Sequence, residues 1–216
     1  MMENRKYQLY FRITYVSVAL FGVILALEIG SSTIFNQSFF VYYTNLSNLI
    51  GLVFGGFLLY ETIGFINRKE LKGYSSINPR WHFMIAILLL VTLIIYNTLL
   101  GNMFSKDYWQ VRNVIMHLVA PSMMVIDFML FSDKGILKFK DILYSLIMPY
   151  IYVGYALLRG LVVGEYPYFF LNATELGYLG VARWVIILTL LFVLLSFIVI
   201  GLNKIQYKMN KKYSNN

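Results

Sequence analysis

The stretch NVIMHLVAPSMMVIDFMLF, residues 113–131, decides the fold of this chain. A helix needs about 20 mainly apolar residues to cross the hydrocarbon core of a bilayer, and this stretch meets that length. Its ionisable residues are His117 and Asp127, which stand in an otherwise apolar segment. Because ionisable groups are costly inside a membrane, the stretch predicts a transmembrane helix that carries functional side chains.

The composition of the whole chain is that of an integral membrane protein. Hydrophobic residues make up 59% of the 216 residues, and charged residues make up 13%. A soluble globular chain is about 25% charged. The chain contains no cysteine, which excludes disulfides, thiolate catalysis and cysteine metal sites.

Six apolar segments are long enough to span a bilayer. They cover residues 9–29, 39–66, 81–100, 113–131, 141–158 and 180–202. Open sheet edges are not viable in lipid, so each segment is expected to be a helix. The first segment is interpreted as a retained helix and not as a cleaved signal peptide. The sequence therefore predicts an all-α, polytopic membrane protein with six transmembrane helices in a single domain, residues 1–216.

The basic residues predict the orientation of this bundle. Four of the 18 lysines and arginines, Lys106, Arg112, Arg159 and Arg183, fall on one side. The other fourteen, with Arg12 counted at the start of the first span, fall on the opposite side. Basic residues concentrate in cytoplasmic loops, so both termini are expected to be cytoplasmic. The net charge of +8 follows this topology and does not indicate a nucleic-acid partner.

Polar side chains collect near the predicted outer boundary of the membrane. Thr44 and Asn48 form one pair four residues apart, and Asn113 and His117 form another. At 1.5 Å per residue, Thr44 and His117 both lie ~7–8 Å below that boundary. Asn97 ends the third span at the same side. This common depth predicts an outward-facing polar pocket within the bundle.

Pro121 adds a local prediction. A proline inside a helix removes the hydrogen bond to the carbonyl four residues earlier, and that residue here is His117. The helix is expected to kink there, and the freed carbonyl needs another partner.

The remaining ionisable residues have plainer interpretations. His82 follows Trp81 at the start of the third span and is expected at the membrane interface. Asp127 is expected to pair with the basic inner loops. Because the two histidines fall at opposite faces of the membrane, no metal shared between them, and no cofactor, is predicted.

Four motifs carry a resemblance to a known family: FFVYYTNLSNL at 39–49, HLVAPSMMVIDFMLF at 117–131, YALLRG at 155–160 and EYPYFFLN at 165–172. Together with the six-span layout, they resemble a family of six-pass bacterial membrane proteins. That family is remotely similar to the eukaryotic androgen-induced and androgen-dependent membrane hydrolases, which cleave fatty acid esters of hydroxy fatty acids. The bacterial relatives usually show Asp-Trp where this chain has Asp127 and Phe128.

The resemblance implies an intramembrane hydrolase of lipid esters in the bacterial cytoplasmic membrane, with a threonine and a histidine that match Thr44 and His117. A threonine hydroxyl needs an adjacent base, and a neutral imidazole within hydrogen-bond reach supplies one. The available oxyanion donors are Asn48, Asn97, Asn113 and Arg159. Since no carboxylate closer than Glu28 is evident at this depth, a dyad is expected.

Two other functions fit the same residues. The outer pocket suits a non-enzymatic protein that binds or transports a lipid or small molecule. Thr44 and the asparagines also suit a structural protein, because polar side chains often join helices in membranes. In each case the expected partners are membrane lipids, and the enzyme would in addition take a lipid-like ester as substrate.

Overall fold

The computed structural model describes residues 4–28 and 37–214. These residues contain six helices that are long and apolar enough to span a membrane, which confirms the predicted all-α, six-span fold. The helices are α1 (Arg5–Leu27), α2 (Tyr43–Asn67), α3 (Pro79–Leu100), α4 (Val111–Phe131), α5 (Phe139–Val163) and α6 (Ala173–Ser214). We refer to the two ends of the bundle by residues that lie there, as the Thr44 end and the Arg12 end.

Helix starts follow local capping chemistry. The Asn4 side chain accepts a hydrogen bond from the Lys6 amide at 2.9 Å, so α1 begins at Arg5 and not at the predicted residue 9. Asn78 caps α3 in the same way, and Pro79 fits the first turn because its missing N–H is not needed there. The predicted end of the first span, residue 29, lies outside the described residues.

The last helix is longer than its apolar segment. Gly177 adopts a φ of 63°, a conformation that favours glycine, and separates a first turn from the main helix. From there to Ser214 the helix rises ~55 Å at 1.5 Å per residue, against about 30 Å of hydrocarbon. The final turns, with Lys208, Lys211 and Lys212, therefore extend past the predicted span.

The core of the bundle surrounds α3. From Phe83 to Leu89 every side chain of this helix is buried. Helices α2, α4 and α5 pack directly against α3. Glycines allow close approach between α1 and α2, because a side chain at Gly55 would overlap the Tyr15 ring. At Gly55 the missing side chain therefore serves the contact between two helices.

A buried ion pair joins α1 to α4 at the Arg12 end. The Arg12 guanidinium donates from Nε and Nη2 to the Asp127 carboxylate, both at 3.0 Å. Its Nη1 donates to the Thr62 hydroxyl at 2.7 Å and to the Leu58 carbonyl at 3.2 Å. Arg12 and Asp127 are each only 1% exposed. One guanidinium therefore fixes three helices relative to one another.

This geometry locates Arg12 and corrects two predictions. Arg12, which is counted above at the start of the first span, lies inside α1 with its side chain in the core. Asp127 does not pair with the inner loops and pairs with Arg12 instead. His82 is not interfacial, since it is 1% exposed with its Nε2 3.4 Å from an Asp127 oxygen. Arg12 and His82 both lie next to the buried Asp127 carboxylate, and a hydropathy profile does not reveal such contacts.

We expect the substitution Arg12→Leu to lower the free energy of unfolding by about 3–5 kcal/mol, because it leaves the Asp127 charge buried and unpaired. The double variant Arg12→Leu with Asp127→Leu should lose less than the sum of the single variants. Circular dichroism during unfolding in mixed micelles measures both. The control is Arg112→Leu, since Arg112 pairs with Glu28 while 41% exposed, and its expected loss is below about 1 kcal/mol. Equal losses in all single variants would contradict a special role for the buried pair.

Candidate functional site

Two irregular turns lie side by side at the Thr44 end. The last turn of α3, Tyr96–Leu100, and the turn Ile115–Val119 of α4 are both π-helical. Pro121 has no N–H to donate to the His117 carbonyl. Asn97 of α3 donates to that carbonyl instead, from Nδ2 at 3.2 Å. The predicted need for a new partner at His117 is confirmed, and wide turns of this kind are frequent at functional sites.

The His117 ring is held from two sides. Its Nδ1 lies 3.0 Å from the Asn113 carbonyl oxygen. Because a carbonyl only accepts, Nδ1 carries the proton in the neutral ring, and Nε2 is left with a lone pair. The ring also stacks on Tyr96, with centroids 3.4 Å apart and planes 13° from parallel. His117 is therefore oriented as a hydrogen-bond acceptor and a base at Nε2.

Both the nitrogen and the oxygen of the Asn97 side-chain amide form hydrogen bonds. Besides the His117 carbonyl, its Nδ2 donates to the Leu93 carbonyl at 2.6 Å. Its Oδ1 accepts a short hydrogen bond from the Tyr108 hydroxyl. An amide occupied in this way positions the two π turns, and the structure does not direct it at a substrate.

Thr44 lies in the first turn of α2 and is 8% exposed. Asn48 Nδ2 donates to two backbone carbonyls, those of Thr44 and of Met116, each at 2.9 Å. Since one nitrogen reaches both carbonyls, Thr44 lies at the level of the turn that holds His117. The common depth predicted for these two residues is thereby supported by a direct bridge between α2 and α4.

A cavity of about 70 Å³ opens beside Thr44. It lies between α2, α3, α5 and α6, and most of its lining is apolar, including Val153, Leu188 and Phe192. Thr44 and Tyr168 contribute polar groups to this lining. Tyr168 comes from the loop between α5 and α6 and interacts with the Thr44 side chain.

The Tyr168 hydroxyl keeps its proton at this position. Burial raises the pKa of Tyr168, while its interactions with Thr44 oppose that rise. A phenol that stays protonated at neutral pH is a hydrogen-bond donor. The cavity therefore offers a donor from Tyr168 and a hydroxyl from Thr44 to a ligand oxygen.

The structure brings only part of the predicted site together. Within the described residues no hydrogen bond joins Thr44 to His117, and His117 does not line the cavity. Tyr96 lines the cavity and stacks on His117, so its ring stands between them. Thr44 and His117 are thus neighbours of one tyrosine and not a formed dyad.

The remaining predicted donors are engaged elsewhere. Asn113 donates from its side chain to the Asp107 carbonyl at 2.6 Å. Arg159 donates to the Glu165 carbonyl at 2.8 Å and does not line the cavity. Neither side chain points its donors at the Thr44 hydroxyl in this arrangement.

Sequence reasoning missed the tyrosines of the site. Tyr43, Tyr96, Tyr152 and Tyr168 all line the cavity. The chain has 18 tyrosines, and most suit a membrane interface, so their number hides the few that are buried. The available signal was the motif EYPYFFLN, residues 165–172, an aromatic loop too apolar for a simple connection.

Comparisons with models of known protein families, with curated proteins and with solved structures find no match. Among residues 4–28 and 37–214 there is also no group of three histidine, aspartate or glutamate side chains able to hold a metal ion. The chemistry of the site must therefore be argued from Thr44, the tyrosines and His117 themselves.

We expect Asn97→Leu to lower the free energy of unfolding by about 1–3 kcal/mol, because it leaves the His117 carbonyl and the Tyr108 hydroxyl without their partner. The matched control is Thr98→Val. The exposed Thr98 hydroxyl donates to the Ile94 carbonyl of its own helix at 2.7 Å, so the loss on this substitution should stay within about 0.5 kcal/mol. Thermal unfolding in detergent measures both, and equal effects would show that Asn97 does not hold the π turns.

Proposed function

We propose that this chain binds an aliphatic lipid in the cavity beside Thr44, with a carbonyl or carboxyl group of the lipid held by Thr44 and Tyr168. The observation that carries this proposal is the lining of the cavity, which is mostly apolar and includes the neighbouring polar side chains of Thr44 and Tyr168. Ligand sites commonly combine an apolar lining with a few convergent polar groups.

The cavity has a side from which lipid can enter. Tyr150 of α5 and Thr189 of α6 both line it, and their hydroxyls lie 3.0 Å apart. Tyr150 is 49% exposed on the outer surface of the bundle. A chain entering between α5 and α6 would part this hydrogen bond, and its remainder would stay in the bilayer.

We further propose that the protein lies in a cell membrane with both termini in the cytoplasm. The basic loops and the lysines of the α6 extension support this orientation, because they lie at the Arg12 end. The cavity then belongs to the outer leaflet, since Thr44 lies at the opposite end of α2.

Binding of radiolabelled palmitate to purified protein in nanodiscs tests the proposal. Leu188→Trp should abolish binding, because the larger ring fills the apolar part of the cavity. Thr44→Val should weaken binding about 2- to 10-fold, the contribution of one neutral hydrogen bond. Thr98→Val makes the same change at an exposed site and should bind as wild type. Unchanged binding in Leu188→Trp would exclude this cavity as the site.

A second function, hydrolysis of a lipid ester, uses the same cavity. The observation that favours it is the free lone pair on Nε2 of His117, next to the tyrosine that lines the cavity. In this reaction Thr44 Oγ1 attacks the ester carbonyl carbon, and His117 takes the hydroxyl proton and returns it to the departing alcohol. Water then cleaves the threonyl ester and releases the acid. Tyr96 must turn away for the base to reach the hydroxyl.

Turnover of a palmitate ester of hydroxystearic acid distinguishes the two functions. If the chain is a hydrolase, Thr44→Ser should retain turnover, since it keeps a hydroxyl nucleophile. Thr44→Val and His117→Ala should abolish turnover, and His117→Ala should still bind palmitate. Binding of the ester by folded wild-type protein without release of either product would reject hydrolysis and leave the binding function standing.

A further inference from the structure

A second concavity lies at the Arg12 end, far from Thr44 and independent of the cavity there. It is a groove of about 580 Å³ on the outside of the bundle, between α2 and α3. Along α2 it runs from Phe54 to Arg68, which is ~21 Å at 1.5 Å per residue. The length of the groove is therefore comparable to the thickness of one leaflet.

The groove changes character along its length. Phe54, Phe57 and Ile85 line the part nearer the middle of the membrane. Tyr60 and Trp81 flank the part nearer the Arg12 end, where they are 79% and 58% exposed. Tyrosine and tryptophan concentrate at the level of lipid headgroups. An amphiphile lying here would have its chain against the phenylalanines and its headgroup beside Arg68.

Arg68 supplies two terminal guanidinium nitrogens at this end. Its Nε lies 2.9 Å from a Glu70 oxygen, and both side chains are largely exposed. Its two terminal nitrogens donate to no group among the described residues, and Nη1 stands over Gly64 in the groove. A guanidinium with free terminal nitrogens matches the two oxygens of a phosphate.

The acidic residue in the groove does not compete for these donors. Glu61 accepts hydrogen bonds from the hydroxyls of Ser75 and Ser76, both at 2.5 Å, and from the Ser76 amide at 2.6 Å. It also lies 3.9 Å from the Arg12 guanidinium. Its charge is thus held by Ser75, Ser76 and Arg12. The neighbouring loop carries Lys69 and Lys72 beside Glu70, so it adds one net positive charge to that of Arg68.

From this arrangement we propose that the groove binds one anionic phospholipid, with its acyl chain between α2 and α3 and its phosphate on Arg68. The positive loop and the free guanidinium nitrogens select an anionic headgroup over a zwitterionic one. Gly64 leaves space in the groove. A Cβ there would meet only Arg68 Nη1, at 3.7 Å, so a larger side chain would extend into the groove.

Trp81 makes the site directly observable. The chain has three tryptophans, and Trp109 and Trp184 belong to the other end of the bundle. A full-length variant with Trp109→Phe and Trp184→Phe therefore reports on the groove alone. Reconstituted into phosphatidylcholine vesicles, it is titrated with phosphatidylglycerol or phosphatidylcholine carrying brominated chains, which quench tryptophan on contact.

The expected result is preferential quenching by brominated phosphatidylglycerol, with an apparent affinity about fivefold above that of brominated phosphatidylcholine. Arg68→Gln should remove this preference and leave the quenching by phosphatidylcholine unchanged. Gly64→Leu should reduce quenching by both lipids because it fills the groove. Gly154→Leu is the matched control, since a Cβ at Gly154 also meets nothing within 4 Å, and it should behave as the parent.

Three results would overturn the proposal. Equal quenching by the two lipids in the parent protein would remove the anionic selectivity. A preference that survives Arg68→Gln would place the headgroup elsewhere. If Gly64→Leu leaves quenching intact but changes the oligomeric state in size-exclusion chromatography, the groove is an interface with a second copy of the chain.

Discussion

The buried ion pair between Arg12 and Asp127 is the constraint on which the rest of the bundle depends. Two charges inside a membrane are tolerated only when their geometry is good and the remaining donors find partners. Here the carboxylate receives two donors, and Nη1 goes to Thr62 and to the Leu58 carbonyl. A register shift of α1, α2 or α4 would break these bonds in apolar surroundings, so the pair fixes all three helices.

With one end fixed, the opposite end accommodates irregular helix. Backbone carbonyls there are satisfied by side-chain amides, with Asn48 bound to Met116 and Asn97 bound to His117. Each amide donates to a carbonyl of another helix. The two π turns are therefore held by tertiary contacts as well as by the backbone hydrogen bonds of their own helices.

Hydropathy and proline chemistry predicted much of this structure. The six apolar segments gave the six helices, and Pro121 indicated which carbonyl would need a partner. Hydropathy did not predict that Arg12 is buried, because a basic residue near the end of an apolar segment has the same hydropathy value whether it is exposed or buried. The partner of the His117 carbonyl was also hidden, since choosing Asn97 requires the packing of α3 on α4. Tyr168 lies in a loop, where no periodicity marks a residue that folds back onto the site.

Tyr96 determines how Thr44 and His117 relate to each other. With the ring stacked on His117, Thr44 and Tyr168 remain in the lining of the cavity, which is an arrangement for holding a ligand oxygen. A general base must come within hydrogen-bond reach of the proton that it takes, so catalysis requires that ring to leave the stack. The ring belongs to a π turn whose position depends on Asn97. Binding therefore proceeds with Tyr96 in its stack, whereas hydrolysis requires Tyr96 to leave it.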